Sequence, residues 1–253
     1  MGQNGSVFDE LTIIERENDV RIVFACDMEP DSALLRPKSD DLDVFFVFLR
    51  PISDYLLLEG PIERITRPKV NGIRSHGVDL RAFLCDLRSS DPFSVESLGS
   101  KGVFREDSRF WEVKRLQEGC FDPPKGAMMH LVAARADLDV LSEYESATPW
   151  HVLGLLRSTL AAKWCLRRFS PPPMGLDDLK GPFLGHQELD EAALLDEKAM
   201  SGTVSVPKRS FGTIFGWIST SVDSLCAEIG SYRHHETPDW AVFDRIFRSM
   251  AFL

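Results

Sequence analysis

An unbroken apolar run, Val44-Phe45-Phe46-Val47-Phe48-Leu49, follows directly on an acidic stretch, Ser39-Asp40-Asp41-Leu42-Asp43. In an extended chain successive side chains point to opposite faces, so a run with no polar position has to be buried on both sides. Its residues are β-branched or bulky, types that suit a pleated surface. The run therefore demands a place in the middle of a sheet covered by helices.

The flanking sequence supplies the rest of such a layer. Phe8, Leu11, Ile14 and their neighbours make a short amphipathic helix, and Val20 to Cys26 is a strand. Two shorter strands are expected around 62–66 and 69–75. From Val78 to Arg88 the spacing turns helical, with Leu80, Phe83, Leu84 and Leu87 on one face. Near Cys120 the character of the chain changes. Met128, Leu131, Leu138 and Leu141 mark one helix, and Trp150, Leu153, Leu160 and Trp164 another, before the Pro171-Pro172-Pro173 break. Phe211, Ile214, Phe215, Ile218, Val222 and Leu225 form a further helical face. Thr237-Pro238 is placed to cap and open a last helix carrying Trp240, Phe243, Phe247 and Met250. The expected class is α+β: a mixed sheet flanked by helices over 1–120, then a helical domain over 121–253.

A chain of 253 residues holds one large domain or two small ones, and its 43% hydrophobic content is that of a folded protein. The balance of 29 Lys and Arg against 39 Asp and Glu gives a net charge of -10, which opposes sequence-independent binding to phosphate backbones. Cys26, Cys85, Cys120, Cys165 and Cys226 are scattered, without the spacing of a zinc site or a disulfide framework, as in a reducing, cytoplasmic compartment. No secretory leader and no transmembrane segment is visible. The opening Met1-Gly2-Gln3-Asn4-Gly5-Ser6 fits the pattern for myristoylation of Gly2, but Asp9, Glu10, Glu15 and Glu17 oppose an anionic membrane, so any lipid anchoring is weak.

If the strand begins at Asp41, then Asp41 and Asp43 leave the sheet on the same face. Two carboxylates at the mouth of a strand suit Mg²⁺, a hard cation that prefers oxygen ligands and bridges to phosphates. Around this pair the chain resembles the bacterial predicted nucleotidyltransferases of the DNA polymerase β superfamily. The resemblance runs from about Val20 to Lys180. It is carried by Arg21 to Cys26 leading to Ser39–Val44, by Arg50-Pro51 with Asp54-Tyr55-Leu56, and by His76-Gly77-Val78-Asp79-Leu80-Arg81. It continues through Ser90-Asp91-Pro92, Glu96-Ser97-Leu98, Phe104-Arg105-Glu106-Asp107, Leu156-Arg157, Lys163-Trp164 and Pro172-Pro173-Met174. What it implies is a nucleotidyltransferase core followed by helices, moving a nucleoside monophosphate from a nucleoside triphosphate to an acceptor. In such a family a Gly-Ser pair upstream of the D-x-D holds the triphosphate, and a third Asp on a neighbouring strand completes the metal site.

Asp41 and Asp43 match the first two carboxylates, but the Gly-Ser positions align with Glu29-Pro30 and the third Asp with Arg74. Glu29 puts negative charge where a triphosphate would lie, and Pro30 removes a backbone donor. No glycine occurs between Val20 and Gly60, so no shift of the alignment restores the pair. Arg74 repels a metal and is expected to bridge the carboxylates instead. By the same resemblance Arg157 and Lys163, in a basic cluster with Arg167 and Arg168, are candidates for contact with a nucleotide or acceptor.

Elsewhere His76, His130 and His151 stand alone, and His234-His235-Glu236 is expected to be a polar turn. The expectation is a nucleotidyltransferase-like protein with a degenerate site, acting as a non-catalytic binding or scaffold subunit with a protein partner, or with nucleotide or RNA. The alternative is a working Mg²⁺-dependent transferase that uses Asp41, Asp43 and a third carboxylate not recognised in the sequence.

Overall fold

The computed structural model describes residues 3–28 and 42–252. The expectations placed on Gly2, Glu29, Pro30 and Asp41 lie outside those residues. The chain opens with α1 (Gln3–Asn18), β1 (Arg21–Asp27) and β2 (Leu42–Leu49). A single helical turn, α2 (Ile52–Tyr55), precedes β3 (Arg64–Val70) and β4 (Ile73–Asp79), then α3 (Leu80–Arg88), α4 (Pro92–Ser97), β5 (Val103–Glu106) and α5 (Trp111–Cys120). The second half is largely helical: α6 (Pro123–Ser142), β6 (Ser146–Ala147), α7 (Pro149–Arg168), α8 (Leu176–Lys180), α9 (His186–Met200), β7 (Val206–Pro207), α10 (Gly212–Glu228) and α11 (Trp240–Ala251).

The sheet is five-stranded in the order β3-β4-β2-β1-β5, with β2 and β4 parallel and the other pairs antiparallel. β2 is thus central, as its double apolar character requires. Val44, Phe46 and Phe48 pack with Val7, Leu11 and Ile14 of α1. Phe45, Val47 and Leu49 face the opposite core with α3, α4 and α5. In β1 the pairing shifts between Ile22 and Phe24, a bulge that lets Val23 and Phe24 both join this second core. Phe24 stacks on Phe110 at 4.6 Å.

The second core also takes Ala127 and Leu131 from α6, Ala162 and Cys165 from α7, and Phe243, Ile246 and Met250 from α11. The helix α11 therefore returns to the sheet-bearing half, and its end is fastened there. Arg21 donates to the Met250 carbonyl at 2.8 Å and Arg109 to that of Ser249. Arginines at helical carbonyls satisfy acceptors that the helix leaves open. A separate core joins α6, α7, α8, α9 and α10 around Leu156, Leu160, Leu195, Phe211 and Ile218.

Three boundaries differ from the sequence reading. The break expected between residues 66 and 69 is absent, because β3 runs through Pro68 and the chain turns at Asn71-Gly72, whose φ angles are 49° and 82°. Asn-Gly is the pair that a tight hairpin with positive φ favours, and an edge strand with a register shift tolerates a proline. The helix expected from Val78 begins at Leu80, since the strand continues to Asp79 and the Asp79 carboxylate caps the helix by accepting from Arg81 N at 2.8 Å. The last helix begins at Trp240 with Asp239 as its cap, so Thr237-Pro238 precedes it without opening it.

Candidate functional site

Asp43 and Arg74 occupy paired positions in the parallel ladder of β2 and β4. Parallel register puts both at the same end of the sheet, on adjacent strands. Arg74 Nη1 lies 3.1 Å from Asp43 Oδ1 and 3.3 Å from Oδ2. The Asp43 side chain is only 12% exposed and that of Arg74 37% exposed, so the carboxylate is mostly shielded from water and the guanidinium reaches it from the rim.

The backbone around the pair is pinned. Met28 N donates to the Asp43 carbonyl at 2.9 Å, and Leu42 N to that of Gly72 at 2.8 Å. Asp27 N donates to the Gly102 carbonyl at 2.8 Å, and Ser100 Oγ to that of Asp27 at 2.7 Å. The start of β2 is therefore tied to the ends of its neighbours.

A guanidinium already lies against both oxygens of Asp43, and a metal there would meet a fixed positive charge at close range. Among the described residues no group of three or more His, Cys, Asp or Glu side chains is placed to hold a metal.

The two basic candidates on α7 are not brought together. Arg157 Nη2 contacts Glu96 Oε2 while its Nε donates to the Met174 carbonyl at 3.0 Å. Glu96 Oε1 stands 3.2 Å from His130 Nε2, and all three side chains are largely buried. Burial alone would raise the Glu96 pKa, but His130 and Arg157 outweigh it and hold the carboxyl below its ordinary range. Arg157 thus joins α4, α6 and α7 in one ionic cluster. Lys163 is six residues on, turned to another face of the helix, where its Nζ lies 4.8 Å from the Trp217 ring centroid. Arg167 bridges Glu228 at 2.6 Å, and Arg168 sits over Trp164.

Several residues that carry the family resemblance have structural work. Tyr55 OH donates to Asp79 Oδ2 and accepts from Arg50 N at 3.1 Å, linking the end of β2 to the cap of α3. Burial raises the Asp79 pKa against these partners. Asp91 caps α4 by accepting from Ser94 N at 2.9 Å. Sequence reasoning left His130 alone and missed Glu96 as its partner. The one available signal was Glu96 near the end of a short capped helix, and that does not say what it meets. His151 lies 3.3 Å from Asp137, and His234 lies 3.0 Å from the buried Asp122.

A central parallel strand pair with an acidic residue at its mouth, a mixed five-stranded sheet and a helical second half define a nucleotidyltransferase-like protein. The model of the family RlaP, described as an RNA repair pathway DNA polymerase beta family, matches residues 4–249, and the chain belongs to that family. It is 23% identical over 222 residues to the uncharacterized protein YcgL of Bacillus subtilis (strain 168), spanning 87% of this chain and 85% of YcgL. The crystal structure of a nucleotidyltransferase-like protein from Exiguobacterium sibiricum 255-15 aligns over 91% of this chain and 73% of that one, with 11% identity and a TM-score of 0.31. No helix among the described residues is long and apolar enough to cross a membrane.

Proposed function

We propose that this chain is a non-catalytic, nucleotidyltransferase-like subunit of an RNA-repair assembly, built as a sheet-bearing unit over 1–120 and a helical unit over 121–253. The observation that carries the reading is the Asp43–Arg74 ion pair, with the guanidinium 3.1 Å from the carboxylate that a metal would need. In the resemblance, Arg74 stands where the third carboxylate belongs, and Glu29 and Pro30 stand where the triphosphate would be held. Glu29 repels the triphosphate, Arg74 repels the metal and Pro30 removes a backbone donor, and each change alone weakens a metal–triphosphate complex. No step of nucleotidyl transfer follows from these residues. Asp43 instead stabilises the mouth of the sheet, and the protein contributes surfaces for binding a protein or nucleic-acid partner.

The second reading is a Mg²⁺-dependent transferase, favoured by the presence of Asp41 beside Asp43 in the sequence. Thermal-shift titration with Mg²⁺ or Mn²⁺ and each nucleoside triphosphate separates the two, because a ligand that binds only the folded state raises its apparent stability. The expected result is no synergistic shift in the native protein and a Mn²⁺-dependent shift in Arg74→Asp. A shift that needs metal and nucleotide together in the native protein, and is lost in Asp43→Asn, overturns the proposal in favour of the transferase.

A further inference from the structure

Between α7, α9 and α10 the helical half holds an open cavity of about 420 Å³, apart from the mouth of the sheet. Lys163 and Arg167 line it from α7, Glu188 from α9, and Thr213, Trp217 and Ser224 from α10. Lys163 is half-buried here. Its ammonium lies 4.8 Å from the Trp217 ring centroid and 5.7 Å from that of Phe183, and no carboxylate of the described residues forms a salt bridge with it. Glu228, whose charge reaches it, is engaged by Arg167 at 2.6 Å.

A partly desolvated cation without a carboxylate partner favours an incoming anion, since the pair forms with little further desolvation of the lysine. Burial, with Arg167 adding to it, already pushes the Lys163 pKa down, so an anion would relieve a strained charge. The rest of the lining adds the Trp217 indole and the hydroxyls of Thr213, Thr220, Ser221 and Ser224, of which Thr220 donates to the Gly216 carbonyl, against the single carboxylate of Glu188; the Arg167 guanidinium is engaged by Glu228 and the Tyr232 hydroxyl and adds positive charge at the edge. The volume falls in the range of small-molecule sites and far exceeds that of a bare oxyanion. The aromatic wall of Trp217 suits a planar group attached to the anion.

We propose that this cavity is a binding site for a nucleoside monophosphate, with Lys163 receiving the phosphate and Trp217 bordering the nucleoside. The site is independent of the metal-position reading at Asp43, and it does not require Mg²⁺.

Isothermal titration of the full chain with AMP, adenosine and inorganic phosphate tests it, in the absence of divalent metal. The expected result is saturable AMP binding with Kd below about 1 mM, and binding of adenosine and of phosphate at least roughly tenfold weaker. Lys163→Gln should weaken AMP at least roughly tenfold, Lys163→Arg should keep most of the affinity, and Asp43→Asn should leave it unchanged. Should Lys163→Gln alter the melting temperature, Ser224→Glu, on an exposed turn of α10, places a like charge at the pocket and should abolish AMP binding without touching the core. The proposal is overturned by absence of AMP binding at about 10 mM, by phosphate binding as tightly as AMP, or by AMP binding indifferent to both pocket variants. Loss of AMP binding in Asp43→Asn overturns it too and moves the nucleotide to the mouth of the sheet, which would also count against the non-catalytic reading.

Discussion

The ring of Phe46 on β2 lies so close to the backbone of Gly77 on β4 that a Cβ on Gly77 would stand 2.1 Å from Phe46 Cε2. The glycine has an ordinary φ, so what requires it is space for the ring and not backbone freedom. Gly77→Ala should lower stability by about 1 to 3 kcal/mol through overpacking, read as a lower urea midpoint at unchanged slope. Adding Phe46→Leu should return part of the loss. A Gly77→Ala protein as stable as the native one would mean that the ring is free to move aside.

Asp43→Ala leaves Arg74 without its carboxylate. Because the arginine is more than a third exposed, water screens much of the loss, and the cost should be about 1 to 2 kcal/mol rather than the larger penalty of a fully buried pair. Combining it with Arg74→Ala should cost less than the sum of the two single changes, and a double-mutant cycle by chemical denaturation measures that coupling. Strict additivity would show that the ion pair does not couple the strands.

Glu96 gives a pH dependence with a definite sign. Its folded-state pKa lies below the ordinary glutamate value of about 4.3, so the carboxylate contributes stability above that value and loses it as pH falls through the lower folded one. Acid unfolding should therefore steepen below about pH 4, and Glu96→Gln should remove that component. The same variant leaves Arg157 and His130 without their anion, at a cost of about 3 to 5 kcal/mol near neutral pH. An unchanged acid transition in Glu96→Gln would assign the steepening to other groups.

The thiols should divide by exposure. Burial pushes Cys26 up to about 12 and Cys120 up to about 11, and raises Cys165 as well, so all three stay protonated and shielded at neutral pH. Cys85 and Cys226 are exposed. A disulfide reagent should reach those two first in the native protein, Cys85 the more slowly because partial burial raises its pKa too, and all five only after unfolding. Fast modification of a third thiol without loss of structure contradicts the packing around it.

The central strand was legible because Val44 to Leu49 leaves no polar face, and its neighbour β1 buries a shorter run, Ile22 to Cys26, between the same two cores. The helix of Leu80, Phe83 and Leu87 was legible from its spacing, yet its start was misplaced, since only the fold shows Val78 in the sheet core and Asp79 turned to cap. α9 escaped notice because it buries a narrow stripe, Ala192, Leu195 and Ala199, too small to stand out from its charged surroundings. At the site, opposite charges on Asp43 and Arg74 suggested a bridge, and parallel register then made them neighbours. The separation of Arg157 from Lys163 was hidden, because nearness along a helix does not say which partner each face meets.

The anchoring of α11 sets an order of events in synthesis. Arg21 and the Met250 carbonyl that it holds are 229 positions apart, so at ordinary elongation rates the partner arrives roughly 10 to 50 seconds after the arginine. Until then the places of Phe243, Ile246 and Met250 in the sheet's second core stand open to solvent. A sheet that formed on the ribosome would therefore wait for the last helix before its second core could close.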